Sequence, residues 1–406
     1  MRVAYLASQY PATSHTFIRR EVEALRRRGI EVQTFSIRPP GANERGVGPE
    51  EQAFATTRYV LPFDWSRALR SHVRGVTRRP ARYLATLRDA LKHRVPGARS
   101  LLWSLFYFGE AVVLADDLEV AEVEHLHNHF ANPGANVGYL ASRYLGLGWS
   151  LTLHGISEFD YPAGVLLPEK IAAARFVACV SHFGRAQAFR VIDPQHWPKL
   201  FINRCGVDLA SFPSAAKAEG TRLRVVSVGR LSPEKGQLGL LEAFAAVLAD
   251  GVDAELFLIG DGPLMAELQR RIDALGIGER CRLLGRKSEA EVAIELAAAD
   301  VFALASFMEG LPVVLMEALA MRLGVIAPCV AGIPELIAHE QTGLLFAPGR
   351  WDELGAGLKR LLTDRELRER LAENGRQRVE EEFAIDRAVD PLVAKLQNML
   401  GARAVG

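Results

Sequence analysis

The second half of this 406-residue chain alternates short apolar runs with helical stretches, and this alternation limits the fold more than any other feature. Strands are predicted at 223–228, 255–259, 301–305 and 343–346. Helices are predicted to begin near Leu238, Pro263, Pro312 and Trp351. Repeated β-α-β units form a parallel sheet that helices cover on both faces. The sequence therefore predicts an α/β fold.

The first half opens in the same way, and the length of the chain suggests more than one domain. Strands are predicted at 2–7, 31–37, 125–127, 150–153 and 176–180, and a helix at 14–28. Residues 203–213 are predicted to be a hinge between two sheet domains facing a cleft. The last segment, 384–400, is predicted to be helical with a break at Pro391.

Composition and charge narrow the classes of function. The formal net charge is +1, which gives no general attraction for nucleic acid. The four cysteines are scattered without a C-x-x-C pair, which is typical of small buried residues in a reducing compartment. The N-terminus is too short and polar for a signal peptide, so we expect a cytoplasmic protein, soluble or peripheral to a membrane. Residues 101–114 are the most apolar stretch, and because they are too short for a bilayer span and contain Glu110, a buried helix is predicted.

Two glutamates flank a predicted helix start in the segment 307–319. Pro312 suits the first helical position, which leaves Glu309 in the preceding loop and Glu317 more than a turn inside. The free N–H groups of such a helix start suit a phosphate, and carboxylates accept hydrogen bonds from sugar hydroxyls. For an isolated pair of glutamates, an amphipathic core helix with two solvated carboxylates is the simpler interpretation.

Two cations follow the first strand of the second half. Arg230 and Lys235 leave the end of the apolar run 225–228 within a turn that contains Gly229, Pro233 and Gly236. Ligands of open α/β sheets gather at the carboxyl ends of strands, so two cations there could hold a diphosphate.

Together these motifs resemble the nucleotide-sugar domain of retaining glycosyltransferases of family four, which have the GT-B fold of two Rossmann-like domains. The resemblance covers about 221–385 and rests on Gly229-Arg230, Lys235-Gly236, Gly260-Asp261-Gly262-Pro263, Glu309 with Glu317, and Gly332-Ile333-Pro334-Glu335. It implies a UDP- or GDP-sugar donor and no metal or other cofactor. It also implies an acceptor-side domain over 1–207, a donor domain over 208–384, and a terminal helix over 385–406 that crosses back onto the first domain.

The resemblance implies roles for single residues. Arg230 and Lys235 would hold the diphosphate, Glu309 the donor sugar and Glu317 the ribose. The backbone after Gly310, through Leu311, Pro312 and Val313, would meet sugar or phosphate, and the loop at Arg286 would border the base. His154 matches a His-Gly that family members carry near the reacting sugar, although a structural histidine is the alternative.

The loop 8–18 lacks the family's common Gly-Gly and is similar to that of a subset that builds bacterial exopolysaccharides such as colanic acid. Ser14 and His15 are the candidate acceptor-side residues here, and Ser14 is equally suited to be a helix N-cap. Since the glycines are missing, the family's acceptor contacts do not transfer directly.

Three histidines, His125, His127 and His129, alternate along a predicted strand and could therefore share one face. A metal site is one interpretation, but no carboxylate motif accompanies them. We therefore predict no metal site, and expect these side chains to pair locally or to line the cleft floor.

Residues 67–99 are densely basic, with apolar residues interleaved. Helices that have a basic and an apolar face bind anionic membranes, which would suit a lipid-linked acceptor. A solvated helical insertion is the equal alternative.

The residues and the resemblance together predict a cytoplasmic hexosyltransferase that transfers a sugar from a nucleoside diphosphate to a glycan or lipid-linked glycan. Retention of configuration is what the resemblance implies, and a place at the inner face of the membrane depends on the basic stretch 67–99. Two other hypotheses are a sugar-nucleotide epimerase or hydrolase of GT-B fold and a non-catalytic subunit of a polysaccharide assembly complex. Arg230 and Lys235 together with the two glutamates argue against the first hypothesis, and the presence of Arg230, Lys235 and Glu309 argues against the second.

Overall fold

A computed structural model of the protein describes residues 2–12, 15–41, 48–155, 157–213 and 222–404, with side chains to residue 399. The chain divides into two compact units, each with its own parallel sheet. Unit 1 comprises Met1–Arg204 with Val389–Gly406, and unit 2 comprises Cys205–Ala388.

Unit 1 contains a sheet of seven parallel strands in the order β3-β2-β1-β4-β5-β6-β7. The strands are β1 (Arg2–Gln9), β2 (Glu31–Arg38), β3 (Arg58–Tyr59), β4 (His125–His129), β5 (Gly148–Leu153), β6 (Val177–Cys179) and β7 (Leu200–Ile202). The strands β2 and β3 extend the sheet on one side of β1, and β4 to β7 extend it on the other side. As a result β1 and β4 are neighbours in the sheet.

The helices of unit 1 include a group of three between β3 and β4 that forms a helical insertion. In chain order they are α1 (Thr16–Arg27), α2 (Pro49–Thr56), α3 (Trp65–Arg78), α4 (Pro80–Lys92), α5 (Ala98–Val120), α6 (Pro133–Leu145), α7 (Ser157–Asp160), α8 (Leu167–Ala173), α9 (His182–Phe189), and, after unit 2, α18 (Asp390–Ala404). A 3₁₀ helix spans Pro194–Lys199.

Unit 2 contains six parallel strands in the order β10-β9-β8-β11-β12-β13. They are β8 (Leu223–Val228), β9 (Ala254–Ile259), β10 (Cys281–Gly285), β11 (Val301–Ala303), β12 (Gly324–Pro328) and β13 (Leu344–Phe346). Its helices are α10 (Gln237–Ala249), α11 (Met265–Ala274), α12 (Glu289–Ala297), α13 (Val313–Ala320), α14 (Ile333–Leu336), α15 (Trp351–Thr363), α16 (Arg365–Arg378) and α17 (Ile385–Ala388). One turn of 3₁₀ helix spans Pro233–Lys235, and a π-helical turn spans Val379–Phe383.

Each sheet forms the centre of a hydrophobic core. Strand β12 is buried along its whole length, which is why it appears in the sequence as a continuous rather than an alternating apolar run. The predicted α/β class with parallel sheets is confirmed.

The prediction of a buried helix over 101–114 is wrong for the first half of that stretch. Leu102 is 69% exposed, and Leu101, Trp103, Leu105 and Phe106 are exposed as well. Only the later turns of α5, from Phe108 to Leu118, pack into the core. No helix in the described part of the chain has the length and hydropathy needed to cross a lipid bilayer.

The structural roles predicted for two prolines are also wrong. Pro312 is the N-cap of α13 rather than its first helical residue, because its ψ of 112° is extended and the helix begins at Val313. Pro391 does not break a helix: it lies in the first turn of α18, where its missing N–H costs no hydrogen bond. The break comes at Val389, between α17 and α18.

Candidate active site

The candidate donor site lies where the sheet of unit 2 changes its direction of growth. β8 and β11 are adjacent strands, although they are separated in sequence by two β-α units. The loops that leave their carboxyl ends are therefore neighbours, and such a switch point is where open α/β sheets bind ligands. The loop after β8 carries Arg230 and Lys235, and the loop after β11 carries Ser306 and Glu309.

The two loops approach each other closely because glycine permits it. Gly236 has φ +64°, and a Cβ on it would lie 2.1 Å from the carbonyl oxygen of Ala305. A backbone hydrogen bond of 2.9 Å from the Phe307 amide to the Glu234 carbonyl joins the same loops. Any side chain at residue 236 would force the loops apart.

Lys235 and Glu309 form an ion pair. Lys235 Nζ donates to Glu309 Oε1 over 2.6 Å, and the hydroxyl of Ser306 donates to the same oxygen, also over 2.6 Å. Glu309 is 8% exposed, so it is not the solvated carboxylate of the simpler interpretation. Ser306, fully buried, was not singled out from the sequence, since only the fold brings its hydroxyl to the carboxylate.

Arg230 lies in the same loop as Lys235, with an exposed side chain. Its backbone carbonyl accepts a hydrogen bond of 2.8 Å from the Gln237 side chain, which fixes the turn after β8. Among the described residues its guanidinium forms no ion pair, in contrast to Lys235. The arginine is therefore available to an anionic ligand.

The start of α13 holds the rest of the predicted donor-binding segment. Gly310, Leu311, Pro312 and Val313 lead into the helix, and Pro312 offers no side-chain acceptor to the first-turn amides. Glu317 is 8% exposed and lies in the second turn, while Glu309 precedes the helix. The structure thus places both glutamates on the segment around this helix start, but it brings only Glu309 into contact with Lys235.

Arg286 follows β10, at the outer edge of the same carboxyl end. Its guanidinium lies 3.5 Å from Asp261, which belongs to the glycine turn after β9. Gly260 in that turn has φ +144°, and a Cβ there would lie 1.9 Å from the Gly229 carbonyl oxygen. The loops after β8, β9 and β10 are therefore packed side by side.

The candidate residues of unit 1 lie at the carboxyl ends of β4 and β5. His154 follows β5, and its Nε2 lies 2.9 Å from Nδ1 of His129, the last residue of β4. Its ring also contacts Phe17 and Phe130, with centroid distances of 4.7 and 4.5 Å. Burial, together with the nearby His129 and His15, lowers the pKa of His154 well below its ordinary value, so the imidazole is neutral at pH 7.

His15 contacts the same aromatic group. Its ring centroid lies 5.0 Å from that of Phe130 and 5.9 Å from that of Phe17. The other acceptor-side candidate, Ser14, lies outside the described residues. The helix predicted from residue 14 begins at Thr16, with His15 at the N-cap position.

The three histidines of β4 are fully buried and hydrogen-bonded to protein groups. His125 and His127 both contact the hydroxyl of Ser150 at 2.7 Å, and the second nitrogen of His127 contacts Thr152 at 2.8 Å. Burial, followed by repulsion from the neighbouring histidines, lowers the pKa of His127 well below its ordinary value. Local pairing accounts for these side chains.

A carboxylate does accompany the histidines, contrary to the expectation from sequence. Glu21 of α1 lies 3.4 Å from His129, and Glu21, His127 and His129 offer ligand atoms within 4.8 Å of one another. However, Glu21 already accepts hydrogen bonds from Tyr5 over 2.8 Å and from Asn203 over 3.1 Å. These bonds engage the Glu21 carboxylate within the protein, whereas Nε2 of His129 is buried without a hydrogen bond among the described residues.

Comparison with known proteins shows what the chain is similar to. A family model described as glycosyl transferases group 1 matches residues 211–378. A colanic acid biosynthesis glycosyltransferase, WcaL of Salmonella typhimurium, is 27% identical over 97% of this chain and 99% of its own. The alpha-D-kanosaminyltransferase of Streptomyces kanamyceticus is 33% identical, but that match spans 41% of this chain and 44% of the relative.

Among solved structures, Anabaena Alr3699/HepE in complex with UDP and glucose superposes with a TM-score of 0.74. The match covers 98% of this chain and all of that one at 19% identity. Similarity at this level of identity shows a shared fold and nothing more. Residues 211–378 therefore form a glycosyl transferases group 1 domain, and the chain is a glycosyltransferase with the GT-B fold.

Proposed function

We propose that this glycosyltransferase is a retaining enzyme that transfers a sugar from a UDP- or GDP-sugar to a hydroxyl of a glycan or lipid-linked glycan in bacterial polysaccharide biosynthesis. The observation that carries the proposal is the group of Arg230, Lys235 and Glu309 at the switch point of unit 2. Two cations and one buried carboxylate, beside a helix start, provide partners for a diphosphate and for a sugar in one place.

In the proposed reaction, the bond between the anomeric carbon and the diphosphate oxygen breaks, and a bond to the acceptor oxygen forms. Negative charge therefore develops on the departing diphosphate, and the acceptor hydroxyl loses its proton. Arg230 and Lys235 stabilise that developing charge, aided by the amides at the start of α13. This is a stabilisation that grows towards the transition state.

The remaining residues position the substrates. Glu309 accepts hydrogen bonds from the donor sugar, Glu317 binds the ribose, and Arg286 borders the base. The backbone of Gly310, Leu311, Pro312 and Val313 meets sugar or phosphate. In unit 1, His154 contacts the reacting sugar, and His15 belongs to the acceptor side together with Ser14.

The comparisons support a nucleotide-sugar donor and a polysaccharide product. One solved relative of the same fold holds UDP and glucose, and WcaL is named for colanic acid biosynthesis. The shared fold and the family domain make the same classes of substrate reasonable for this chain.

Catalysis without a metal is part of the proposal. In metal-dependent transferases a divalent cation neutralises the diphosphate, and here Arg230 and Lys235 supply two positive charges at the place where it would be needed. The proposal assigns no metal to Glu21, His127 and His129, because Glu21 and both ring nitrogens of His127 are already hydrogen-bonded to protein groups.

A membrane partner is supported by the helical insertion of α3, α4 and α5. Most of the large apolar side chains that are exposed in the described residues lie there: Trp65, Leu69, Val73, Val76, Leu84, Leu91, Leu101, Leu102, Trp103, Leu105 and Phe106. Phe63 joins α3 to α5, with ring centroids 5.5 Å from Trp65 and 5.6 Å from Phe106. An exposed apolar surface of this kind marks an interaction site.

The charges around this surface favour an anionic bilayer as its partner. Arg67, Arg74 and Arg79 pair with carboxylates near the end of α5, so their charges are balanced within the insertion. Within the described residues, no ion pair is formed by Arg70, Arg78, Arg88, Lys92 or Arg99, all of which are exposed. Exposed cations beside exposed tryptophan and leucine suit a negatively charged membrane surface, such as the inner face of the cytoplasmic membrane.

The test is a panel of UDP-, GDP-, ADP- and dTDP-sugars. Thermal stabilisation by one donor, followed by transfer to an acceptor with retained anomeric configuration in the NMR spectrum of the product, is the expected result. Donor turnover without an acceptor would favour the epimerase or hydrolase hypothesis, and binding without any turnover would favour the non-catalytic subunit.

A further inference from the structure

One buried carboxylate ties together the ends of β4 and β5 in unit 1. Glu158, on the short helix α7, is 3% exposed. One of its oxygens accepts a hydrogen bond of 2.6 Å from the amide of Ala131, and the other accepts from the amides of His154 and Gly155 over 2.7 and 3.0 Å. The backbone at His154 is thus held by a side chain that the proposed reaction does not use.

A buried cation completes this arrangement. Lys170 of α8, 4% exposed, donates to the carbonyl oxygens of Ala131 and Asn132 over 2.6 and 3.4 Å. Burial raises the pKa of Glu158 to about 7, against the opposing effect of the three amides and of Lys170, and burial lowers the pKa of Lys170 to about 7. Two ionisable groups are therefore kept inside unit 1 at a cost in solvation, and both act on the same strand ends.

Glu158 holds the backbone of His154, and other residues hold its side chain. Its Nε2 shares a hydrogen bond with His129, which is backed by Glu21, and its ring lies between Phe17 and Phe130. Because the ring partners fix the orientation of the imidazole and the Glu158 carboxylate fixes the backbone, the imidazole has one defined place. A shift of the 154–155 backbone would move it relative to any bound sugar.

We propose that Glu158 is a positioning residue for transfer: its carboxylate holds the His154–Gly155 backbone and so places the His154 imidazole against the reacting sugar. The proposal rests on the proposed role of His154 and adds the residue through which unit 1 fixes it. Glutamine is a sharp probe of this role, because both oxygens of Glu158 accept N–H groups. Either orientation of the amide would turn its NH₂ group towards an N–H donor.

The experiment is a double-mutant cycle of Glu158→Gln and His154→Ala, with kcat and the donor KM measured for each folded variant. We expect Glu158→Gln to lower kcat by about tenfold or more with little change in the donor KM, and to change kcat by less than about twofold in the His154→Ala background. Glu169→Gln, an exposed glutamate on α8, is the matched control and should leave kcat unchanged.

Two outcomes overturn the inference. An equal loss of kcat from Glu158→Gln in both backgrounds would mean that Glu158 acts independently of His154, and an unchanged kcat would mean that it has no effect on transfer. A wild-type kcat in His154→Ala itself would refute the proposed role of His154, and is therefore distinguishable from failure of the Glu158 step. If Glu158→Gln does not fold, Glu158→Asp, which keeps the charge but draws the carboxylate back, enters the same cycle with the same expectation.

Discussion

Lys235 Nζ donates a 2.6 Å hydrogen bond to Oε1 of Glu309, so the cation proposed for the diphosphate and the carboxylate proposed for the sugar are bound to each other. Each neutralises the other in a largely buried site. A diphosphate that binds Lys235 must share it with Glu309, and removal of either side chain leaves its partner without its ion pair. The two residues are bound to each other, whereas the exposed Arg230 forms no ion pair among the described residues.

Loss of either cation should reduce transfer strongly. A hydrogen bond to a charged group contributes about 1.5–3 kcal/mol, and each 1.36 kcal/mol corresponds to roughly a tenfold change in rate. We therefore expect Arg230→Ala and Lys235→Ala each to lower kcat by about ten- to a hundredfold, with a double mutant that is not additive because both bind one diphosphate. Steady-state kinetics with the preferred donor measures both values.

The same pair of variants should differ in stability. Arg230 is exposed, so Arg230→Ala should unfold at the wild-type temperature, whereas Lys235→Ala leaves the buried Glu309 unpaired and should lower the melting temperature. Arg270→Ala, an exposed arginine of α11, is the control for both assays. Wild-type turnover by folded Arg230 and Lys235 variants would move the donor site elsewhere.

Glu317 should affect binding more than chemistry. Ribose contacts change little while the glycosidic bond breaks, so Glu317→Ala should raise the donor KM with a smaller effect on kcat. Titration of the donor against the variant measures the split. A large fall in kcat at saturating donor would instead place Glu317 at the reacting centre.

Four strands of the donor unit were predictable from the sequence because period and composition are local signals, whereas the order of the strands in the sheet was not predicted. The runs at 223–228 and 301–303 ended in the loops that carry Arg230, Lys235 and Glu309, and adjacency of β8 and β11 then brought those loops together. That Lys235 and Glu309 belong to one site was implied by the family resemblance, while their direct contact was not predicted. A contact depends on the approach that Gly236 allows.

The residues that sequence reasoning missed act through tertiary contacts. Glu158 looks like an ordinary surface glutamate of a short helix, and only its burial against three amides reveals its role. Glu21 looks like one charge among many on α1, yet it lies against His129. The first turns of α5 were mispredicted for the opposite reason. Their apolar composition predicted burial, but the structure leaves their apolar side chains exposed.

Chelation of metal ions should leave transfer intact, because two cationic side chains occupy the proposed diphosphate site. Activity after exhaustive EDTA treatment, compared with untreated enzyme, is the measurement. Loss of activity that only Mg²⁺ or Mn²⁺ restores would contradict the proposed roles of Arg230 and Lys235.

Membrane binding should depend on the unpaired cations of the insertion and not on the paired ones. Each Lys or Arg near an anionic surface contributes about 1 kcal/mol, so Gln at Arg70, Arg78, Arg88 and Lys92 should weaken binding by about 4 kcal/mol, or roughly a thousandfold. Arg67, Arg74 and Arg79 are left in place because their loss would break ion pairs within unit 1. Sedimentation with phosphatidylglycerol-containing vesicles measures the difference.

A matched variant separates this effect from net charge. Gln at Arg270, Arg282, Arg365 and Arg370 removes the same four charges from exposed positions of unit 2 and should still bind. Leu69→Ser with Leu102→Ser should also weaken binding, since both side chains belong to the exposed apolar surface. Equal sedimentation of all variants would contradict membrane binding through the insertion and would support the alternative of a solvated helical insertion.

Acid should destabilise unit 1 through its buried neutral histidines. Burial lowers the pKa of His127 and of His154 well below the ordinary value of 6.5, so below that pH the unfolded chain binds protons that the folded chain does not. Stability that is present above pH 6.5 is therefore lost as the pH falls, by about 1.4 kcal/mol per pH unit for each histidine.

His127→Gln should be less stable at pH 7.5 yet show a pH dependence of the free energy of unfolding between pH 6.5 and 5 that is shallower by that amount. Urea unfolding followed by tryptophan fluorescence reports mainly on unit 1, which holds Trp65, Trp103, Trp149 and Trp197. If the free energy of unfolding fell with pH equally in the variant and the wild type, His127 would have to take up a proton as readily in the folded protein as in the unfolded chain, which would contradict the prediction.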